Sequence, residues 1–181
     1  MADAVAGIHA APGSDSAAGP APGPELLGTR LRHLLDLLDG DVAAVYQDLG
    51  LPGFRPRFAP VIRVLATAGP SPIRDLARAT GVSHSAASQT VAQLVKAELV
   101  VLAPGQDARQ RIVQLTPKAE ALLPTLAAEW SATSAAAGAF EAELPYSLSR
   151  LITEALAVLE RRPMRQRIAD VMAKDGRRQE S

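Results

Sequence analysis

Three serines, Ser83, Ser85 and Ser88, stand with His84, Gln89, Thr90, Gln93 and Lys96 in one short segment of this chain. Hydroxyls and amides both donate and accept hydrogen bonds and stay uncharged near neutral pH. Such a set can match a pattern of donors and acceptors on a partner. Acid–base or nucleophilic chemistry would need a neighbouring base, and none stands at a recognisable spacing. Farther on, Asp107 and Arg109 are two residues apart, and Arg111 follows. A guanidinium at the tip of a loop can reach into a negatively charged groove. A carboxylate two residues before it can fix its direction through a charge-assisted bond.

The elements that must carry these groups follow from the local pattern. Ile73, Leu76 and Ala77 repeat at helical spacing and give a short first helix one apolar stripe. Gly81 breaks that pattern, and Ser83 is suited to cap the next helix, which runs to about Ala97. On that second helix Ala87, Val91 and Leu94 share one face, while Ser85, Gln89, Ala92, Gln93 and Lys96 share the opposite one. LVVL at 99–102, the turn APGQDA and RQRIVQL at 109–115 then describe a two-stranded ribbon. Helix, turn, helix and ribbon in this order predict a winged helix-turn-helix, a module that reads DNA. The polar face of the second helix fits a major groove about 12 Å wide. Arg109 at the ribbon tip fits an adjacent minor groove, which is most negative where it is narrow and A·T-rich. The expected DNA contacts are Ser83, His84, Ser85, Ser88, Gln89, Thr90, Gln93 and Lys96 on the helix, with Asp107, Arg109 and Arg111 on the wing.

GVSHSAASQTVAQLVKAELV followed by DARQRIVQLTPKAEALL resembles the MarR family of bacterial transcriptional regulators over about residues 55–125. The most specific elements are Asp107 and Arg109, the run from Leu115 to Lys118, and Ser88. The resemblance implies a homodimer on a pseudo-palindromic operator, often a repressor, often released by a small effector. It also implies that terminal helices of two subunits interlock, and that small phenolic or anionic ligands bind between scaffold and winged module. Arg30, His33, Tyr46 and Arg63 are the polar residues near such a cleft, with no ligand role assigned to any of them. Gln89 stands where the family often has a basic residue. Glu98 and Ala119 replace frequent glycines, which implies differently shaped ends for two helices.

The whole chain balances 19 basic against 19 acidic residues. Residues 55–118 nevertheless carry nine basic and three acidic residues, so a basic module sits on an acidic remainder, as expected of a protein that meets a polyanion on one side. With 181 residues, 48% of them hydrophobic, the chain can bury a sizeable core. The absence of cysteine excludes disulfides and thiol-based redox sensing. No apolar stretch approaches the roughly 20 residues that span a bilayer, and no leader pattern precedes the helices, so a cytoplasmic location without membrane contact is expected.

The expected fold is mainly α with a small β-wing: a winged helix-turn-helix flanked by N- and C-terminal dimerisation helices. Residues 1–23, rich in Ala, Gly and Pro, are expected to be disordered. Residues 24–54 form the N-terminal dimerisation segment, 55–116 the DNA-binding region, 117–175 the C-terminal dimerisation helices, and 176–181 a disordered tail. Within these, Gly40 is expected to interrupt the first helix, and a helix opening at Pro117 to reach about Ala137, with Pro124 as a possible kink. A further helix spans about 147–161 and a short last one 165–173. The flanking apolar stripes exceed what a winged module can cover, and the surplus argues for an interface with a second copy.

Enzymatic and metal-dependent functions find no support. His9, His33 and His84 are scattered, no phosphate-binding glycine loop or nucleophile elbow occurs, and Asp36, Asp39 and Asp41 read as a solvated helix end. No cofactor is expected. The rival reading is a winged helix that binds protein instead of DNA. Its signature would be an apolar recognition face and a wing without arginine.

Overall fold

A computed structural model describes residues 23–105 and 111–179. The predicted tail at 1–23 falls outside them except for Gly23. A short 3-10 turn at Pro24–Leu26 leads into α1, Leu27–Asp48, and a second at Pro56–Phe58 leads into α2, Ala59–Ala68. The winged region follows as β1, Ser71–Pro72; α3, Ile73–Thr80; α4, His84–Lys96; β2, Val100–Pro104; and β3, Arg111–Leu115. Three helices close the chain: α5, Pro117–Ala142; α6, Leu148–Arg161; and α7, Met164–Gln179. The architecture is mainly α with one small antiparallel sheet, in the order β1-β3-β2.

The sheet is the hinge of the winged module. Val100 pairs with Leu115, Leu102 with Val113 and Pro104 with Arg111, so β2 and β3 form a regular ribbon. On the other side of β3, Ser71 and Pro72 pair with Val113 and Ile112. This third strand is absent from the sequence reading, because two residues ending in proline carry no alternation to detect.

The core lies where α2, α3, α4, the sheet and α5 meet. Ile62, Leu76, Leu94 and Val113 are fully buried, and Phe58, Val91, Val100 and Leu126 nearly so. Full burial of each such side chain is worth about 1.5–3 kcal/mol before ordering entropy is subtracted. Three of the six aromatic residues cluster: Tyr46 of α1 lies 4.6 Å from Phe54, which meets Phe58 edge-on at 5.8 Å. This contact ties the end of α1 to the winged module.

Three helix boundaries differ from the sequence reading. Helix α1 runs unbroken through Gly40, because an interior glycine costs only about 1 kcal/mol and the turns beyond it are anchored by buried Tyr46 and partly buried Val42. Helix α5 contains Pro124 and continues to Ala142, past the expected end near Ala137. Helix α7 starts at Met164 and extends to Gln179, past Ala173 and into the stretch assigned to a tail. There the lone Gly176 is again insufficient to stop a helix.

Helices α1, α6 and α7 leave much of their apolar surface open. Helix α6 buries no residue, and Leu35, Leu156 and Val171 remain 58%, 56% and 58% exposed. Among the described residues, no helix is long and apolar enough to cross a membrane, and no group of His, Cys, Asp or Glu could hold a metal ion.

Candidate nucleic-acid interface

The turn between α3 and α4 is built from three residues. Gly81, at φ 68°, ends α3 in the left-handed conformation that a residue without Cβ adopts freely. Its N–H donates to Arg78 O, and Val82 N–H donates to Ala77 O at 3.0 Å. Ser83 then caps α4, its Oγ accepting the Ala86 N–H at 3.2 Å. The cap occupies one acceptor site of Ser83 and leaves its O–H free to donate.

Beyond the cap, Ala87, Val91 and Leu94 fix the roll of α4 against the core. The stripe turned outward is Ser85, Gln89, Ala92 and Lys96, all exposed and spaced i, i+4, i+7, i+11. His84 is exposed in the first turn, whereas Ser88, Thr90 and Gln93 are half-buried at the flanks. The stripe itself thus carries one hydroxyl, one amide and one ammonium around a small methyl, while Val82 in the turn and Val95 at its edge are exposed beside it. Gln93 departs from expectation. Its Oε1 is withdrawn from solvent and meets no hydrogen-bond donor among the described residues. Gln89 is the amide of α4 that is open to solvent.

On the wing, Arg111 is exposed at the first position of β3, opposite Pro104, so it stands at the base of the tip. Asp107 and Arg109 lie outside the described residues. The basic footprint has further members that carried no site assignment from the sequence. Arg74 and Arg78 project from α3, 3.5 and 3.3 Å from the carboxylate of Asp75 between them. Lys118 has a different task. Its Nζ donates to Ala97 O at 3.0 Å and pairs with Glu98 at 3.2 Å, so it closes the C-terminal end of α4.

Of the four polar residues associated with a ligand cleft, Tyr46 and Arg63 come together and Arg30 and His33 do not. The latter two lie near the start of α1 and line a separate pocket. Tyr46 and Arg63 line a cleft of about 430 Å³ with Thr80 at the end of α3 and with Glu129, Trp130 and Thr133 of α5. Burial, and next the adjoining Glu129 carboxylate, push the Tyr46 phenol well above its ordinary pKa, so it stays protonated. Glu129 and Trp130 escaped the sequence reading because α5 is alanine-rich and lacks a distinct apolar face. Their only signal was a carboxylate beside the single tryptophan.

Residues 53–110 match the model of the MarR family. Several solved structures share the fold. The PcaV transcriptional regulator from Streptomyces coelicolor, solved with its natural ligand, is 17% identical, with 81% of this chain and 98% of that one aligned at a TM-score of 0.55. BpsR from Bordetella bronchiseptica, whose DNA binding is regulated by 6-hydroxynicotinic acid, is 20% identical, with 78% and 98% aligned at 0.53. Overoxidized AbfR bound to DNA is 17% identical, with 76% and 92% aligned at 0.55. No curated protein sequence matches the chain.

Proposed function

We propose, from the premise that residues 53–110 match the model of the MarR family, that this protein is a sequence-specific DNA-binding transcriptional regulator and not an enzyme. The observation that carries the reading is the outward stripe of α4. Ser85, Gln89 and Lys96 are exposed around Ala92, on a helix whose opposite face is locked into the core. A protein-binding winged helix would show apolar residues there.

In this reading α4 enters the major groove, where Gln89 and Ser85 meet base edges. Lys96, with Arg74 and Arg78 of α3, meets phosphate. The wing follows the neighbouring minor groove, with Arg109 inserted and Asp107 orienting it. Two copies bind a pseudo-palindrome, their recognition helices about 34 Å apart. The protein acts in the bacterial cytoplasm as a homodimeric repressor and leaves its operator when a small molecule occupies the cleft between scaffold and winged module.

Fluorescence anisotropy on the DNA upstream of its own gene, with random duplex as competitor and salt varied, tests the central claim. Binding should resist competitor by about 10³-fold or more and weaken steeply as salt rises. Arg109→Ala should then lower affinity and relax the preference for A·T-rich flanks. Complete absence of DNA binding at low salt would replace this reading with a protein-interaction module.

A further inference from the structure

Residues 54–58, FRPRF, set two arginines between two phenylalanines. Phe54 and Phe58 are buried in the core, and Pro56 opens the 3-10 turn that leads into α2. The segment is thus anchored at both ends and stiffened in the middle, because the proline ring fixes its own φ. Arg55 and Arg57 are left exposed. Neither guanidinium has an ion-pair partner or a hydrogen-bond acceptor among the described residues. Other arginines of the chain are neutralised: Arg74 and Arg78 share Asp75, Arg150 pairs with Glu154, and Arg162 with Asp170.

A third cation stands close by. Lys96, exposed on the outward stripe of α4, lines one cavity with Phe54, Ala97 and Leu99, so the chain that leads into Arg55 lies against the C-terminal end of α4. Lys96 also has no ion-pair partner among the described residues. The carboxylate bordering that cavity, Glu98, is engaged by Lys118. Three cations brought to one end of a helix without a counter-charge repel one another and weaken the compact state, a cost that a polyanion removes.

We propose that Arg55 and Arg57, together with Lys96, grip the phosphate backbone of duplex DNA at the C-terminal end of α4. Arg78, in the last turn of α3, stands beside the turn at Gly81 that leads into the other end of the same helix. Cations therefore flank α4 at both ends. Contacts to phosphate carry no sequence information, but they fix the register and tilt of a helix in its groove. A guanidinium on a stiff segment suits that task, because its planar fork meets two phosphate oxygens at once. The identity of the partner rests on the regulator reading, to which this adds a contact outside the two helices and the wing.

The full-length protein is titrated against a labelled random-sequence duplex at several salt concentrations, so that no operator has to be known. Each phosphate neutralised contributes about 0.9 to the slope of log affinity against log salt. Arg55→Gln with Arg57→Gln should lower that slope by about 1.8, twice this value, and the affinity at low salt by about tenfold or more. Arg55→Lys with Arg57→Lys keeps both charges and should restore the slope. Arg161→Gln with Arg165→Gln, at two exposed positions of α6 and α7, removes the same net charge and should leave the slope as in the wild type. Where the double glutamine variant fails to fold, the single variants decide, each with an expected fall of about 0.9. A wild-type slope in the Arg55 and Arg57 variants, or an equal fall in the Arg161 and Arg165 variant, overturns the proposal while DNA binding by the wild type stands. No binding by the wild type even at low salt overturns the regulator reading itself, and this contact with it.

Discussion

Glu98 has a φ of 60°, the one positive value outside glycine among the described residues. It follows α4 in the left-handed conformation, where its N–H donates to Val95 O at 2.9 Å and Leu99 N–H donates to Leu94 O at 3.0 Å. This paired closure is the one that glycine ordinarily makes. The MarR resemblance marks the position as a frequent glycine, and the helix end nonetheless keeps the glycine-type shape, contrary to the expectation of a different one. A Cβ in this conformation costs about 1–2 kcal/mol, offset in part by exposed Lys118 pairing with the Glu98 carboxylate, a contact usually worth under about 1 kcal/mol. Glu98→Gly should therefore raise stability by about 0.5–1 kcal/mol, read as a higher urea midpoint at unchanged slope. An unchanged or lower midpoint would mean that the Lys118 contact outweighs the backbone term.

Helix α4 has one side-chain cap at its start, and the cap separates stability from recognition. Ser83→Ala should cost about 1 kcal/mol through the lost acceptor for the Ala86 N–H, and Ser83→Gly only a few tenths. Ser83→Asp keeps an acceptor and should hold the melting temperature, while its charge beside phosphate lowers operator affinity. If Ser83→Asp melts with the wild type and also binds DNA equally well, Ser83 is a cap and not a contact. The elements legible in the sequence are those with explicit stop signals. Gly81 and Ser83 mark the turn, Gly69 ends α2, and Thr116 with Pro117 opens α5. The ends of α5 and α7 carry no such signals and lie beyond the positions that the sequence predicts. Strand β1 is not legible in the sequence, because its pairing with β3 is set by tertiary contact and not by any local period. The exposure of Ser85, Gln89 and Lys96 on one face of α4 is legible because helical periodicity suffices for it. The withdrawn Oε1 of Gln93 and the buried carboxylate of Glu129 depend on neighbours distant in sequence, which no spacing rule encodes.

At the scale of the whole molecule, the outstanding feature is apolar surface left open on the scaffold. Leu31 and Leu38 on α1, Leu151 and Ile152 on α6, and Ile168 on α7 are each at least 40% exposed. A lone soluble chain rarely shows a contiguous apolar patch beyond a few hundred Å². A second copy is the simplest cover, since a two-fold axis places the same stripe on both sides of one interface. A dimer would also give a small module useful DNA affinity. Once one recognition helix is bound, the other searches its half-site at a high effective concentration, so the pair binds far more tightly than either alone. Light scattering at micromolar concentration should give twice the chain mass. The double substitution Leu35→Glu and Leu156→Glu places charges on two exposed positions and should yield monomers with unchanged helical circular dichroism, because neither side chain supports the core. Those monomers should lose about 10²-fold or more in affinity for a full operator while binding a single half-site as the wild type does. A wild-type monomer, or a charged variant that remains dimeric, would show that the open stripes serve some other contact, and the two-fold arrangement on DNA would fall with them.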